Sequence, residues 1–168
     1  MAVTRYYVAM ADELKIRVHD HRQVEATLLA HGATFREERK IVDTYFNQPV
    51  PQEVLKIQQD ERGHWLVNLK PRDGKFDIVK FEQISDAASL HAELEQKFGI
   101  MSILTKRCRF FDWGEYFLDL NLIEEFGDFL VLTGPAPTIA MLHQLGIETS
   151  ARITVPFNEL PRIPHTIG

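Results

Sequence analysis

Several common signatures are absent from this chain. A single cysteine, Cys108, leaves no disulfide framework and no thiolate metal cage. The first residues lack a basic start followed by a long apolar run, so no signal peptide or membrane span is expected and a cytoplasmic location follows. Positive charge is not in excess: the net charge of −5 argues against nucleic acid or a membrane surface as the main partner. There is no internal repeat, no low-complexity segment, no glycine-rich phosphate loop and no nucleophile elbow. The seven histidines show no ligand spacing beyond His19 and His21, which flank the start of a helix.

What is present is alternation. Glu13-Leu14-Lys15-Ile16-Arg17-Val18 switches between charged and apolar at every step, the mark of a strand with two unlike faces. The ordinary outcome is a half-buried strand with its charges in water. In a closed barrel the charged face can instead line a lumen while the apolar face packs under helices. Further strands are expected at Phe35 to Phe46, Val54 to Gln59, His64 to Lys70, Phe76 to Ile84, Ile103 to Phe111, Tyr116 to Leu122 and Phe129 to Leu132. Ile153 to Val155 is a candidate last strand, before a proline-rich tail. Asp20, with Gln23 three residues on, opens a first helix that Gly32 closes. A second follows Asp86 and ends before Gly99, and a third covers Thr138 to Leu145. Strands joined mostly by hairpins, with helices at three crossings, predict one α+β domain over 1–168: a closed antiparallel eight-stranded β-barrel with flanking helices.

Period two then assigns faces. Lys56 goes with Val54 and Gln58, Lys70 with Asn68, and Lys80 with Glu82. Arg107 and Arg109 go together against Lys106 and a packed Cys108, and Asp119 goes with Asn121. If all these faces share a lumen, Lys15, Arg17, Lys56, Lys70, Lys80, Arg107 and Arg109 stand against Glu13, Glu82 and Asp119. Seven cations against three anions repel unless an oxygen-rich anion sits among them, and a polyphosphate has the right chemistry. For any one lysine or arginine, a snorkelling surface side chain is the plainer account.

The order Glu13-Leu14-Lys15, Asp43-Thr44-Tyr45-Phe46, Leu55-Lys56-Ile57, Asn68-Leu69-Lys70-Pro71, Lys80-Phe81-Glu82, Lys106-Arg107-Cys108-Arg109, Leu118-Asp119-Leu120-Asn121, Gly127 and Phe129 resembles the CYTH superfamily. That group includes class IV adenylate cyclases and thiamine triphosphatases. The resemblance implies a tunnel that binds a small-molecule triphosphate among basic residues, with Mg²⁺ or Mn²⁺ held by glutamates. It implies Glu13 and Lys15 as catalytic, with Lys15, Arg17, Lys56, Lys70, Lys80, Arg107 and Arg109 on the phosphates. Glu13 and Asp119 are left as metal ligands.

Four acidic positions of the family pattern are replaced here, by Ala11, Asn121, Val131 and Thr133. A divalent ion that favours carboxylate oxygens is then held weakly, or only together with the ligand. The expected function is a phosphate-ligand tunnel with reduced or altered phosphohydrolase or cyclase activity. An active cyclase or triphosphatase, and a binding module for another organic anion, are the alternatives. A monomer and a homodimer are both compatible with the sequence.

Overall fold

The computed structural model describes residues 12–73 and 75–163. It holds eight strands: β1 (Asp12–Val18), β2 (Thr34–Phe46), β3 (Val54–Asp60), β4 (Gly63–Arg72), β5 (Lys75–Ile84), β6 (Ile100–Trp113), β7 (Tyr116–Ile123) and β8 (Gly127–Gly134). Three helices accompany them, α1 (His21–Ala30), α2 (Ala87–Phe98) and α3 (Ile139–Gln144), with a short 3-10 turn at Phe157–Glu159. The strands form one sheet in the order β1-β8-β7-β6-β2-β3-β4-β5, an α+β arrangement with antiparallel pairing. The sequence predicts a first strand from about Tyr6 to Val18, and its part before Asp12 lies outside the described residues.

The helices start where their caps dictate. Asp20 accepts hydrogen bonds from the backbone N–H of Arg22 and Gln23 at 3.0 and 3.3 Å. Asp86 accepts from Ser89 at 3.2 Å and Thr138 from Met141 at 3.3 Å. Each satisfies backbone donors that no helical carbonyl can reach.

The chain divides into two compact units. The first comprises 12–39, 107–154 and 161–163 of the described residues. Its core sets Leu14, Ile16 and Val18 of β1 with Leu118 and Leu120 of β7 and Leu130 and Leu132 of β8. Val24 and Leu28 of α1 and Leu142 of α3 close over them. The apolar face of the first strand therefore packs under helices, as alternation predicted. Each fully buried aliphatic side chain contributes about 1.5–3 kcal/mol. The second unit comprises 40–106 and 155–160. There Phe46, Leu55 and Ile57 pack against Leu94 of α2, with Leu66, Leu90 and Phe98 around them.

The closed barrel is not formed among the described residues. The strand order ends at β1 on one side and β5 on the other, so the sheet is open. The reason lies along β1, whose outer edge is already occupied by the chain after α3. Ser150 N–H donates to the Arg17 carbonyl at 3.3 Å and Ile153 N–H to the Lys15 carbonyl at 2.8 Å. Arg17 N–H donates to Ser150 Oγ at 3.0 Å, and Arg152 Nη2 to the Glu13 carbonyl at 2.7 Å. Ile153 to Val155 is thus no regular strand but part of an edge cover. An edge strand covered in this way offers few backbone groups for further pairing.

Candidate functional site

In the first unit the pairing register sets three rows across β1, β8 and β7. Glu13 faces Thr133 and then Phe117; Lys15 faces Val131 and then Asp119; Arg17 faces Phe129 and then Asn121. Directly opposed residues share a face, so this group lies on the side away from α1 and α3. Lys15, Arg17, Glu13, Asp119 and Asn121 therefore come together as alternation required. Lys15 is buried, 8% exposed, and its stem runs beside Val131.

Arg17 is held from two directions. Its Nη1 donates to the Phe126 carbonyl at 2.6 Å, and the guanidinium lies 4.6 Å from the centre of the Phe129 ring. Gly127, at φ +112°, makes room: a Cβ there would stand 2.6 Å from Arg17 Nη1. This glycine is needed for close approach as well as for its backbone angle. Nearby on the same side, Arg39 is buried with its guanidinium 4.8 Å from the Phe110 ring and ion-pairs Glu37 at 3.5 Å.

The replaced acids fall into these same rows. A carboxylate at Val131 would stand between Lys15 and Asp119, and one at Thr133 beside Glu13. Asn121 has become structural: its Oδ1 accepts from Cys108 Sγ at 3.2 Å, and its Nδ2 donates to the Asp119 carbonyl at 3.3 Å. Ala11 lies outside the described residues. The donor set left on this face is Glu13, which is exposed, and Asp119 in the next row, directly opposite the apolar Val131. Among the described residues no three His, Cys, Asp or Glu side chains group as a metal site. These donors do not fit a divalent ion that takes several carboxylates.

The second unit holds a different cluster, built around Asp43. Burial alone would push this carboxyl up, but the ammonium groups of Lys106 and Lys56 outweigh it and hold it below the ordinary value. Lys56 Nζ donates to Asp43 Oδ2 at 2.8 Å, and Lys106 Nζ lies 2.7 Å from the same oxygen. Oδ1 is buried with no hydrogen-bond partner among the described residues. Asp43 is fully buried and the two lysine side chains are 10% and 8% exposed. Lys56 Nζ is 5.4 Å from the Tyr45 ring centre and Lys106 Nζ 5.8 Å from that of Phe157. Lys56 is paired across the strands with Tyr45 and Val67, while Leu55 and Ile57 turn to α2, so this cluster too lies on the side away from the helix.

Four of the cations expected in this company lie elsewhere. In β6 it is Lys106 that meets Asp43 and Cys108 that meets Asn121, so Arg107 and Arg109 point to the helix side. There Arg109 donates to both carboxylate oxygens of Glu25 on α1, at 2.8 and 2.6 Å, and pairs with Glu38. The hydrogen bonds that Arg109 donates to Glu25 lead the causes that push its guanidinium above its ordinary value. Arg107 is exposed, with Glu38 at 3.9 Å. Lys70 and Lys80 are exposed as well. Lys80 pairs with Asn68, itself opposite Leu55, which puts it on the other face from Lys56, and Glu82 lies 3.7 Å away as its partner. The register shifts beyond this pair, between Asn68 and Leu69, where β5 carries one residue more than β4.

Two residues that sequence reasoning passed over, Asp43 and Lys106, are thus at the centre of the second unit's cluster. A signal existed: Asp43 stands alone in the run Ile41-Val42-Asp43-Thr44-Tyr45-Phe46, and an acid in such a run needs a buried partner. A separate cavity of about 80 Å³ under the β2–β3 loop is lined by Gln48, Gln52, Met101 and Asn158 among others, with no lysine or arginine.

No family model and no curated protein matches the chain. Solved structures do match. A Pyrococcus horikoshii protein has a TM-score of 0.78 at 19% identity, covering 91% of this chain and 100% of its own. A conserved hypothetical protein from Pyrococcus furiosus has 0.76 at 19%, with 89% and 99% covered. A "putative adenylate cyclase" from Vibrio parahaemolyticus has 0.65 at 15%, with 85% and 94% covered. One bearing the same description from Bacillus halodurans has 0.58 at 10%, with 86% and 92% covered. The chain shares its fold with these solved structures.

Proposed function

We propose that this protein binds a triphosphate or other polyphosphate-bearing small molecule through buried cations on the strand face away from its helices. The observation that carries the reading is the pair Lys56 and Lys106, which converge on one carboxylate oxygen of Asp43 beside two aromatic rings. Ammonium groups held this close together suit an anion with several oxygens. Lys15 and Arg17 offer a second set of cations in the first unit. Arg17 presents a fork suited to phosphate oxygens and Lys15 a point charge. The fold shared with proteins described as adenylate cyclases supports a phosphate-bearing ligand of this class.

The loss of carboxylates at Asn121, Val131 and Thr133 supports reduced or absent metal-dependent turnover. Binding of Mg²⁺ or Mn²⁺ is accordingly weak, or requires the ligand's own oxygens. A second reading, an active cyclase or triphosphatase with Glu13 and Lys15 as catalytic groups, is favoured by the description those neighbours carry. No helix among the described residues is long and apolar enough to cross a membrane, and a cytoplasmic location belongs to the same proposal.

The test is thermal denaturation with tripolyphosphate or ATP. A ligand that binds only the native state stabilises it by about 2.7 kcal/mol at one hundred times its Kd. The expected outcome is a rise in Tm that shrinks with salt. No rise with either compound at millimolar concentration would refute the proposal. Release of phosphate or cyclic nucleotide, lost on Glu13→Ala, would favour the second reading.

A further inference from the structure

The strand order leaves β5 at one end of the sheet, and among the described residues no strand pairs its outer edge. An open edge of ten residues is a template for another strand, so its sequence decides what can lie there. Val79 on this strand is apolar and 55% exposed. The side chains of Asp77 and Lys80 are 43% and 45% exposed. They pair with Arg72 at 3.1 Å and Glu82 at 3.7 Å, contacts that are weak at a surface.

The irregularity in β5 decides which side chains share a face. Asp77, Lys80 and Glu82 lie opposite Lys70, Asn68 and Leu66, alternate positions of β4, so all three are on one face. Phe76, Ile78 and Phe81 lie opposite Pro71, Leu69 and Val67, on the other face. Val79 is the extra residue between Ile78 and Lys80. In a regular strand Asp77 and Lys80, three apart, would stand on opposite faces. The extra residue makes the strand complementary to a second copy of itself. Consider two antiparallel β5 strands with Ile78 of each opposite Val79 of the other. Asp77 then falls opposite Lys80 and Phe76 opposite Phe81, each twice by the two-fold symmetry. Lys75 and Glu82 are opposed in sequence as well. Directly opposed residues must share a face, and Asp77 with Lys80 and Phe76 with Phe81 do. Sliding by two residues sets Asp77 against Glu82 in one direction and Lys75 against Lys80 in the other. Both shifts oppose like charges, so a single register is selected.

We propose that the outer edge of β5 pairs with β5 of a second copy of this chain, antiparallel and in this one register, to form a two-fold symmetric dimer. The edge supplies unpaired backbone groups, the opposed acids and lysines fix the register, and Val79 is covered at the centre. A lysine or a bulge on an edge ordinarily deters pairing. Here the bulge places the lysine on the same face as the acid that meets it. A strip one strand wide is a small interface, so the dimer is a weak one that forms and parts with concentration.

Sedimentation velocity of the whole chain, from micromolar to millimolar concentration, should show monomer passing into dimer. Asp77→Lys sets lysine against lysine at both ends, and Lys80→Asp sets acid against acid. Each alone should weaken the dimer at least about tenfold, because like charges directly opposed destabilise a strand pair. Mixed in equal amounts, the two variants regain opposite charges at both ends and should form a mixed dimer. The double variant in one chain exchanges acid and base, should pair with itself, and carries the test if a single variant does not fold. A wild type that stays monomeric, or a dimer indifferent to Asp77→Lys, overturns the proposal. So do folded single variants that mixing does not rescue, or a folded double variant that stays monomeric.

Discussion

Gly127→Ala is the sharpest test of how Arg17 is held. The glycine sits at φ +112°, where an L-residue is strained by about 1–3 kcal/mol. Its missing side chain is also the space that the guanidinium uses. An added Cβ would come 2.6 Å from Arg17 Nη1 and 3.0 Å from Ile163 Cδ1, so the guanidinium must move. Moving it breaks the 2.6 Å hydrogen bond to the Phe126 carbonyl and shifts the cation off the Phe129 ring. A hydrogen bond from a charged group is worth about 1.5–3 kcal/mol. Because a long side chain relaxes, the terms add only in part, and a total loss of about 2–4 kcal/mol is expected. Gly114→Ala is the control, with φ +58° and open space around it: only the left-handed backbone is penalised, by about 1–2 kcal/mol. Urea denaturation measures both, and with an m-value of about 2 kcal/mol/M a loss of 3 kcal/mol lowers the midpoint by about 1.5 M. Adding Arg17→Met to Gly127→Ala should recover part of the loss, with a coupling of about 1 kcal/mol. If Gly127→Ala costs no more than Gly114→Ala, or the double variant is simply additive, the account of Arg17 is wrong.

Other expectations are as concrete. Arg109→Met should destabilise the protein by breaking its contacts with Glu25 and Glu38, yet leave the polyphosphate-induced Tm shift unchanged, because its guanidinium is turned to α1; a lost shift would contradict that placement. Asp43 has a depressed pKa, so its stabilisation is complete above the ordinary carboxyl value of 3.8 and lost as pH falls through the lower folded value. Asp43→Asn should therefore flatten the acid limb of stability against pH in urea titrations, and an unchanged limb would count against it. Restoring the acids together, with Ala11→Glu, Asn121→Asp, Val131→Glu and Thr133→Glu, should strengthen Mg²⁺ or Mn²⁺ binding measured by calorimetry, whereas the natural sequence should show little or none.

Much of the fold is legible because it follows from local rules. Asp20, Asp86 and Thr138 cap their helices where the capping rules place them. All eight strands arise where the sequence alternates or turns apolar, and the hairpin at 60–63 joins β3 to β4 as its turn residues direct. The face of Glu13, Lys15 and Arg17 is right because its opposite face, Leu14, Ile16 and Val18, admits only one solution. In β6 the phase cannot be settled locally. Lys106 on one face and Arg107 with Arg109 on the other put positive charge on both, and the choice depends on Asp43, far away in the sequence. The open sheet was hidden for a similar reason, since β1 is covered by Ser150 to Ile153, the start of a segment that the sequence offers only as a candidate strand.

The displacement of four cations changes the physical argument for a ligand. Seven positive groups crowded with three acids would demand an anion merely to relieve repulsion. With Lys70, Lys80, Arg107 and Arg109 on other surfaces, the expected set keeps only Lys15, Arg17 and Lys56 away from the helices, and Lys106 joins them. Arg109 is neutralised where it is, since its guanidinium has enough donors for both Glu25 and Glu38 at once. Lys56 and Lys106 instead converge on a single oxygen of Asp43. Repulsion therefore no longer forces a ligand on this fold. What favours one is the mismatch at Asp43, where two buried ammonium groups share an oxygen and a second oxygen goes unused. The case for polyphosphate binding thus turns on that one buried trio.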